Sequence, residues 1–389
     1  MIRRAVRAAP ATSINTLVLL VCQVVGIAGV VAIQFVGSLV GERLAIDMRF
    51  ATLPVAVLVL SSALCTWPAS QMMRLFGRRP CFLAAALLSA SCLALAARAV
   101  ERSDFPLFCT AVLGVGVQGA FVQQYRFAIL EGQSSERAPR LLTLIQLASA
   151  AGIVPGMSLF SLLGGRTYRD MPSALWILAA LQALAALSFV AYRPQEALVQ
   201  EATATPDARA RGLYWPMVAM GAGAFLVMSL LMVPTPLQMC GVEQRSIQQA
   251  GWVIQVHLLS MYLPSLSVGV LLTRLSIAQL QSLGLLFLLV GFLLSWIPGF
   301  GGHLFGLALV GIGWCYVFVT ATTLVARSRA GSERFRAQGV NDLCVFAASG
   351  VASLSSGALL SALGWSGLLH LGLLLVLGLM ALACHVHRA

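Results

Sequence analysis

Apolar residues occur along this chain in long runs that short polar segments separate. A helix needs ~20 predominantly apolar residues to cross the hydrocarbon core of a bilayer, and twelve runs approach or exceed that length. Barrel strands are excluded, because their apolar and polar residues alternate over ~10 residues. We therefore predict twelve transmembrane helices, at about 15–40, 52–75, 81–100, 106–130, 140–163, 172–192, 213–240, 246–273, 276–298, 302–326, 338–362 and 364–384.

A polar segment from Arg193 to Gly212 divides these runs into two sets of six. The sets repeat each other, since SSERAPR, from Ser134, and GSERFR, from Gly331, both lie in a basic loop after the fourth run of their set. Internal repeats of this kind are one of the established architectures of membrane proteins. We predict an all-α integral membrane protein with a six-helix bundle at 1–195, a linker at 196–211 and a second six-helix bundle at 212–389.

The composition is that of a chain whose solvent is lipid. It is 59% hydrophobic and 10% charged, whereas a soluble domain carries roughly 25% charged residues. The net charge is +12, but the basic residues lie in short loops between apolar runs, which argues against nucleic-acid binding. The nine cysteines show no CxxC or other metal-binding spacing, so we expect no metal site and no cofactor.

The orientation in the membrane follows from arginine, which supplies all 25 basic side chains. The positive-inside rule places loops rich in basic residues on the cytoplasmic side. With a cytoplasmic N-terminus, only a minority of the arginines fall outside, so we predict a bacterial inner-membrane protein with both termini in the cytoplasm. The outer arginines are then Arg43, Arg49, Arg98, Arg102, Arg166, Arg169 and Arg245.

The loop between the second and third runs reads SQMMRLFGRRP, from Ser70 to Pro80. Gly77, Arg78 and Arg79 match the second half of the signature G-x-L-x-D-R-x-G-R-R, and here the chain resembles the major facilitator superfamily. Arg74 stands where that family has Asp, so the motif is degenerate. The alternative interpretation is that Arg78 and Arg79 serve only as topology anchors.

The loop after the eighth run carries a counterpart of the same motif. It reads GVLLTRLS, in which Gly269 and Arg274 fit the pattern. The architectural resemblance covers essentially the whole chain and implies two pseudo-symmetric bundles that rock about a central site. It therefore implies a monomeric secondary transporter that moves a small organic solute by alternating access.

Three ionisable side chains lie within or at the end of predicted helices, where a charge is costly and is by default a functional candidate. His257 lies in the eighth run and titrates near neutrality, Asp342 lies about one turn inside the eleventh, and Arg126 lies near the inner end of the fourth. We assign these three to proton coupling or gating. The structural alternatives are an interhelical hydrogen bond, a static ion pair and a topology anchor, respectively.

Further polar and aromatic residues in the runs are candidates for the substrate cavity. The family resemblance places the central site among the first, fourth, seventh and tenth helices. Because few charges lie in the middle of the membrane, we expect a neutral or amphipathic substrate. The cavity candidates are Gln23, Gln34, Gln118, Gln124, Tyr125, Met228, Gln238, Gln255, Trp314, Tyr316 and Asn341.

Several more specific functions stay open at this point. The segments QYRFA and VIQVHLLSMYLPS resemble a bacterial subgroup of the superfamily, which implies vitamin uptake of the riboflavin kind. Gly152, Pro155 and Gly156 partly match a Gly-Pro motif of drug/proton antiporters, which favours an exporter. A membrane scaffold or sensor is favoured only by the degenerate loop motif.

We expect no enzymatic activity, because the chain has no G-x-x-x-x-G-K-[ST], HExxH or GxSxG motif. The partners that we expect are a small-molecule substrate, the lipid bilayer and protons.

Overall fold

A computed structural model describes residues 2–131, 133, 137–162, 171–193, 211–329 and 331–388. The described residues are mostly helical and contain no strand, which confirms the predicted all-α membrane fold. The long helices are α1 (Ile2–Leu44), α2 (Leu53–Phe76), α3 (Arg78–Glu101), α4 (Phe105–Val122), α5 (Ala138–Leu162), α6 (Met171–Ser188), α7 (Tyr214–Met232), α8 (Ile247–Tyr262), α9 (Ile277–Leu294), α10 (Phe300–Arg327) and α11 (Gly331–Arg388).

Eleven helical segments of the described residues are long and apolar enough to cross a membrane. The last of them, Ala337–Val386, has 50 residues, more than twice the ~20 that one crossing needs. It is interrupted at Gly364, whose φ of 66° is a conformation that glycine adopts without a steric penalty. The last two predicted runs fall on the two arms of α11, on either side of Gly364, and the count of twelve crossings stays a prediction.

Three of the predicted runs are broken near one end. Pro234 follows α7 and Pro264 follows α8, and a proline inside a helix removes one backbone hydrogen bond and clashes with the preceding turn. The break after α4 falls at the polar pair Gln123 and Gln124. The continuing pieces are Tyr125–Ala128 after α4, Thr235–Leu237 and the π-helix Gln238–Val242 after α7, and Ser265–Leu271 after α8.

Several helix starts follow from ordinary capping chemistry. Asp104 accepts a hydrogen bond from the Leu107 amide at the start of α4. Ser246 and Ser276 begin α8 and α9 with complete capping boxes. Each cap satisfies backbone N–H groups that have no partner within the helix, so these boundaries are set by local sequence.

Contacts divide the chain into two compact units. The first unit contains 1–34 and 64–200, and the second contains 35–63 and 201–389. The segment 35–63 therefore packs with the helices after α6; for example, the Gly357 amide donates to Thr52 Oγ1 at 3.2 Å. The bundle boundaries drawn from the sequence stay a prediction, and the predicted linker lies outside the described residues except for its last residue, Arg211.

The first unit has an aromatic core. Phe82, Tyr125, Phe189 and Tyr192 are almost completely buried. The Phe82 ring lies 4.8 Å from the Tyr125 ring and 5.6 Å from the Phe189 ring, measured between centroids. Such pairs stabilise by about 0.5–1.5 kcal/mol each beyond the burial of their area. These four rings hold α3, the end of α4 and the end of α6 together.

Helices α1 and α5 of the first unit cross at very short range. A Cβ at Gly156 would lie 2.6 Å from the carbonyl oxygen of Ala28, and a Cβ at Gly152 would overlap the carbonyl oxygen of Val24. Small residues let membrane helices approach in this way and gain dispersion contacts. The glycines that the sequence analysis connected with export thus have a packing function in this unit.

Glycines also set the spacing of helices in the second unit. A Cβ at Gly313 of α10 would lie 2.6 Å from the carbonyl oxygen of Gly284 in α9. On another side of α10, a Cβ at Gly311 would lie 2.7 Å from the carbonyl oxygen of His257 in α8. These contacts bring α8 and α10 close enough for a side chain of one to reach the backbone of the other.

Candidate functional site

Four rings of the second unit form an aromatic cluster where α7, α10 and α11 meet. Phe225 of α7 packs edge-on against Trp314 and Phe318 of α10, with centroid distances of 4.8 and 5.1 Å. Trp314 and Phe318 lie one helical turn apart and stack with 10° between their planes. Phe346 of α11 lies 6.1 Å from Phe225. All four rings are half-buried, so part of their surface stays accessible.

Hydroxyl groups lie on one side of this aromatic cluster. Ser229 of α7 and Ser349 of α11 share a hydrogen bond of 2.8 Å between their oxygens. Ser229 follows Phe225 by one turn, and Ser349 follows Phe346 by about one turn. The two helices therefore run side by side in the same direction here, with a polar contact beyond the rings.

An amide lies on the other side of the aromatic cluster. Asn341 is 2% exposed, and its Oδ1 lies 3.8 Å from the position of a Cβ on Gly221, one turn before Phe225. The Asn341 Nδ2 donates to Asp342 at 3.2 Å. Its Oδ1 and the Trp314 Nε1 are buried and have no hydrogen-bond partner within the described part of the chain. This acceptor and this donor could each form a hydrogen bond with a ligand or with water.

His257, the predicted proton carrier of α8, is fully buried. Its Nδ1 lies 2.7 Å from the carbonyl oxygen of Leu307 in α10. Because a carbonyl oxygen only accepts, Nδ1 carries the hydrogen and Nε2 is left as an acceptor. Nε2 has no partner among the described residues. The geometry is that of the interhelical hydrogen bond that the sequence analysis named as the structural alternative.

Asp342 and Arg126 occupy more open positions. Asp342 is half-buried on α11 beside Asn341. Arg126, in the short helix after α4, is exposed, and its guanidinium carbon lies 4.7 Å from the centroid of the Phe127 ring. Their roles in coupling and gating stay predictions.

A layer of amide side chains crosses the first unit. Gln23 of α1 donates to Ser149 Oγ of α5 at 2.9 Å, and Ser149 donates in turn to the Ile145 carbonyl oxygen at 2.9 Å. Gln118 of α4 is fully buried, and both of its amide atoms lack a partner in the described ranges. Its Nε2 lies 3.1 Å from the position of a Cβ on Gly26. Glycine at that position gives the Gln118 side chain its room.

The other cavity candidates differ in how far they are buried. The buried ones pack inside their own units, whereas the half-buried ones keep part of their surface exposed. The buried candidates are Tyr125, Met228, Gln238 and Tyr316, and the half-buried candidates are Gln34, Gln124 and Gln255.

The loop between α2 and α3 ties helices of the first unit together. Gly77 joins the two helices with a φ of 82°. Arg78 Nη2 forms an ion pair of 2.8 Å with Glu131 Oε1, just beyond α4. Arg79 Nη2 donates to the Val190 carbonyl oxygen, beyond α6, at 2.7 Å. The two arginines that match the family signature therefore hold the ends of three helices.

The electrostatics around the loop between α2 and α3 are set by partial burial. Burial raises the pKa of the Glu131 carboxyl, although the guanidinium of Arg78 opposes the shift. Burial likewise raises the pKa of Tyr192 to about 12. Arg74, which occupies the acidic position of the motif, is exposed. The counterpart motif is only partly a loop, since Gly269 lies inside the helix Ser265–Leu271 and Arg274 follows that helix. Both residues are exposed, and a Cβ on Gly269 would have no atom within 4 Å.

A further ionisable cluster, at the predicted outer end of α7, was missed by the sequence analysis. Glu243 Oε1 accepts a hydrogen bond of 2.7 Å from His303 Nε2, and Oε2 accepts one of 3.2 Å from the Gly299 amide. Arg245 Nε lies 3.8 Å from Oε2, and Gln238 Nε2 lies 3.4 Å from Oε1. Burial raises the pKa of the Glu243 carboxyl, but these hydrogen bonds outweigh burial and hold the pKa below its usual value.

Signals for this cluster exist in the sequence, but they are weak. Glu243 lies three residues after the seventh run and His303 lies at the start of the tenth, where polar residues are expected as ordinary loop ends. Of the described residues, no group of three His, Cys, Asp or Glu side chains could hold a metal ion. The cluster is thus a hydrogen-bonded carboxylate with its neighbours.

Comparison with known proteins shows which family the chain belongs to. The sequence profile of the Major Facilitator Superfamily matches residues 19–328. The chain belongs to the major facilitator superfamily. The resemblance drawn from the loop motif and the two repeated halves is thereby confirmed.

Two relatives resemble this facilitator over most of its length. The riboflavin transporter RfnT of Brucella anthropi is 30% identical over 360 residues, which cover 90% of each chain. The MFS-type transporter YdeG of Bacillus subtilis is 27% identical over 385 residues, which cover 93% of this facilitator and 88% of that protein.

A solved structure shows the same fold. It is a bacterial homologue of the human lysosomal transporter Spinster in an inward-facing, occupied conformation, with a TM-score of 0.73 over 97% of each chain and 13% sequence identity. This facilitator is a multi-pass membrane transporter whose partners are a small-molecule substrate and the membrane.

Proposed function

We propose that this facilitator takes up riboflavin, or a closely related flat heteroaromatic compound, across the bacterial inner membrane by alternating access. The observation that carries the proposal is the 30% identity, over 90% of each chain, to a protein named as a riboflavin transporter. Of the alternatives that the sequence left open, vitamin uptake is the one that this relative supports.

The chemistry of the interior supports such a substrate. Riboflavin is neutral near pH 7 and combines a flat fused ring with a hydroxylated chain. Only 10% of the residues are charged, and the half-buried aromatic cluster offers ring faces on which a flat ring can stack. Beside the rings of the same unit, Asn341 and the Trp314 Nε1 offer an acceptor and a donor for the polar groups of such a compound.

We further propose that uptake is coupled to a proton that Asp342 binds. A carboxyl that is half-buried is shielded within the membrane and can still exchange a proton with water. His257 is a weaker candidate, because it is fully buried and its Nδ1 hydrogen is already donated to Leu307. Arg126, exposed at the predicted inner end of the first unit, is assigned to gating.

The membrane arrangement that goes with this function has twelve crossings, both termini in the cytoplasm and a monomeric transporter. The number and placement of the arginines support the orientation. The break at Gly364 between the two arms of α11 supports two crossings in this part of the chain. A reporter enzyme that is active only in the periplasm should stay inactive when fused to the C-terminus.

Uptake of labelled riboflavin into proteoliposomes tests the proposal. Protein-containing vesicles should accumulate riboflavin, and an acidic exterior should speed accumulation severalfold. Asp342→Asn should lose the response to the pH gradient and keep riboflavin exchange. Glu333→Gln, at a side chain that is 73% exposed, is the matched control and should behave like the wild type.

Two outcomes would contradict these statements separately. Riboflavin uptake no faster than in protein-free vesicles would overturn the substrate. A full response to the pH gradient in Asp342→Asn would overturn the coupling role of that carboxyl and leave the substrate untouched.

A further inference from the structure

The aromatic core of the first unit and the aromatic cluster of the second unit differ in how far their rings are exposed. In the first unit the rings of Phe82, Tyr125 and Phe189 are closed off from any solute, with no exposed surface. In the second unit each ring of the aromatic cluster stays partly open, although Trp314 and Phe318 stack on each other and Phe225 contacts both. Stacked rings that keep an accessible face are suited to receive another flat ring.

The aromatic cluster also differs from apolar side chains that face lipid. Trp215 of α7 is 64% exposed and Phe305 of α10 is 63% exposed, as expected for rings in contact with acyl chains. Phe225 and Trp314, on the same two helices, are half-buried where α7, α10 and α11 meet. The cluster therefore lies in the recess where these helices of the second unit meet, and its rings are less exposed than those of Trp215 and Phe305.

Two buried polar atoms give this recess a hydrogen-bonding character. Asn341 is 2% exposed and its Oδ1 has no partner, and the Trp314 Nε1 has none either, within the described ranges. Leaving a buried polar group without a hydrogen-bond partner is unfavourable. An acyl chain would satisfy neither atom. A ring that carries a carbonyl oxygen and an N–H has the matching partner for each kind of atom.

We infer that the aromatic cluster and Asn341 form a binding subsite for an uncharged fused heteroaromatic ring that carries C=O and N–H groups on one edge. The inference rests on the proposed function and deepens it, since the imide edge of a flavin ring has this chemistry. The ring stacks on the open aromatic faces, Asn341 Oδ1 accepts from the imide N–H, and Trp314 Nε1 donates to a carbonyl oxygen. The hydroxylated chain lies outside this subsite.

Equilibrium binding to the purified full chain in detergent tests the inference, with riboflavin, with lumichrome, which is the ring without the ribityl chain, and with ribitol. Lumichrome should bind and ribitol should not. Phe225→Leu keeps apolar bulk without a ring, and Trp314→Phe keeps a ring without the N–H. Each should weaken the binding of lumichrome about tenfold, as expected for the loss of one stacking or hydrogen-bonding contact. Trp215→Phe, on the lipid-facing side, should leave binding unchanged.

A second measurement addresses the edge of the ring. Methylation of the imide nitrogen should weaken binding to the wild type about tenfold, because the N–H that Asn341 accepts is lost. The same methylation should have little further effect on Asn341→Ala, since the two changes remove one hydrogen bond. Thermal melting of each variant identifies any that does not fold, and the remaining variants then decide the result.

The outcomes separate the subsite from the function. If the wild type binds riboflavin while folded Phe225→Leu and Trp314→Phe bind riboflavin and lumichrome as tightly, the subsite is wrong and the proposed function stands. If the wild type binds neither riboflavin nor lumichrome, the proposed function falls, and the subsite falls with it.

Discussion

His303 Nε2 lies 2.7 Å from Glu243 Oε1, and this hydrogen bond joins residues that are 60 positions apart in the chain. It connects the π-helical end that follows α7 to the first turn of α10. The same carboxylate accepts from the Gly299 amide at the start of α10. One side chain thereby fixes the irregular end of a helix that is otherwise interrupted at Pro234.

Replacing this carboxylate should loosen the predicted outer end of the second unit. Glu243→Gln keeps the size of the side chain but loses the charge that strengthens its hydrogen bonds, and we expect a loss of ~1–3 kcal/mol in the free energy of unfolding. Unfolding followed by tryptophan fluorescence in detergent measures the loss. Glu333 is an exposed partner of Arg329, so Glu333→Gln should change the free energy of unfolding by less than ~0.5 kcal/mol. Equal effects of the two substitutions would contradict a stabilising role of the Glu243 hydrogen bonds.

The difference in stability between the wild type and Glu243→Gln should change with pH in one predictable direction. The folded-state pKa of Glu243 is lowered from 4.5, so its contribution to stability is complete above about pH 4.5 and is lost as the pH falls through the folded-state pKa. The melting temperature of Glu243→Gln should therefore lie furthest below that of the wild type near neutral pH. The gap should narrow below pH 4.5, and a gap that widens there would contradict the assignment.

The contribution of Glu131 to stability should depend on pH in the opposite direction to that of Glu243. Because burial raises its folded-state pKa above 4.5, its contribution to stability is complete below about pH 4.5 and is lost as the pH rises through the raised pKa. Relative to Glu131→Gln, the wild type should gain stability as the pH falls. Melting curves of both variants on one pH series make this comparison, and parallel trends for Glu131 and Glu243 would show that their environments are alike.

The arginines of the loop between α2 and α3 should differ in importance. Arg78→Ala leaves the partly buried carboxylate of Glu131 without its 2.8 Å partner, and we expect a loss of ~1–3 kcal/mol in stability. Arg74→Ala removes an exposed side chain and should stay within ~0.5 kcal/mol of the wild type. Denaturation in detergent compares the two, and an equal cost would support the simple topology-anchor interpretation of Arg78.

The helices of this protein could be predicted because length and apolar character alone decide which segments cross a bilayer. The predicted run 81–100 lies within α3, Arg78–Glu101. The breaks were harder to predict, since Gln123 and Gln124 interrupt α4 without proline or glycine. The packing of 35–63 with the second unit had no signal in hydropathy, which does not record which helices are neighbours.

The candidate site was predictable where one residue is unusual for its surroundings. Trp314 and Asn341 were singled out because they are polar or aromatic within apolar runs. Phe225 and Phe346 were not, because phenylalanine is ordinary in a spanning helix and only the folded chain brings these rings to Trp314 and Phe318. His303 and Glu243 were missed for a related reason, since each is typical of a loop end when considered alone.

Two glycine-to-alanine substitutions should act in opposite directions. At Gly156 the new Cβ would lie 2.6 Å from the backbone carbonyl oxygen of Ala28, so α1 and α5 must separate, and we expect a loss of ~1–3 kcal/mol. At Gly269, inside the helix Ser265–Leu271, the new Cβ would meet no atom within 4 Å, so the better helix propensity of alanine should add ~0.5–1 kcal/mol. Melting in detergent measures both changes. An unchanged melting temperature for Gly156→Ala would mean that α1 and α5 can move apart without loss of stability. A lower melting temperature for Gly269→Ala would mean that the exposed helix makes contacts through the face that carries this glycine.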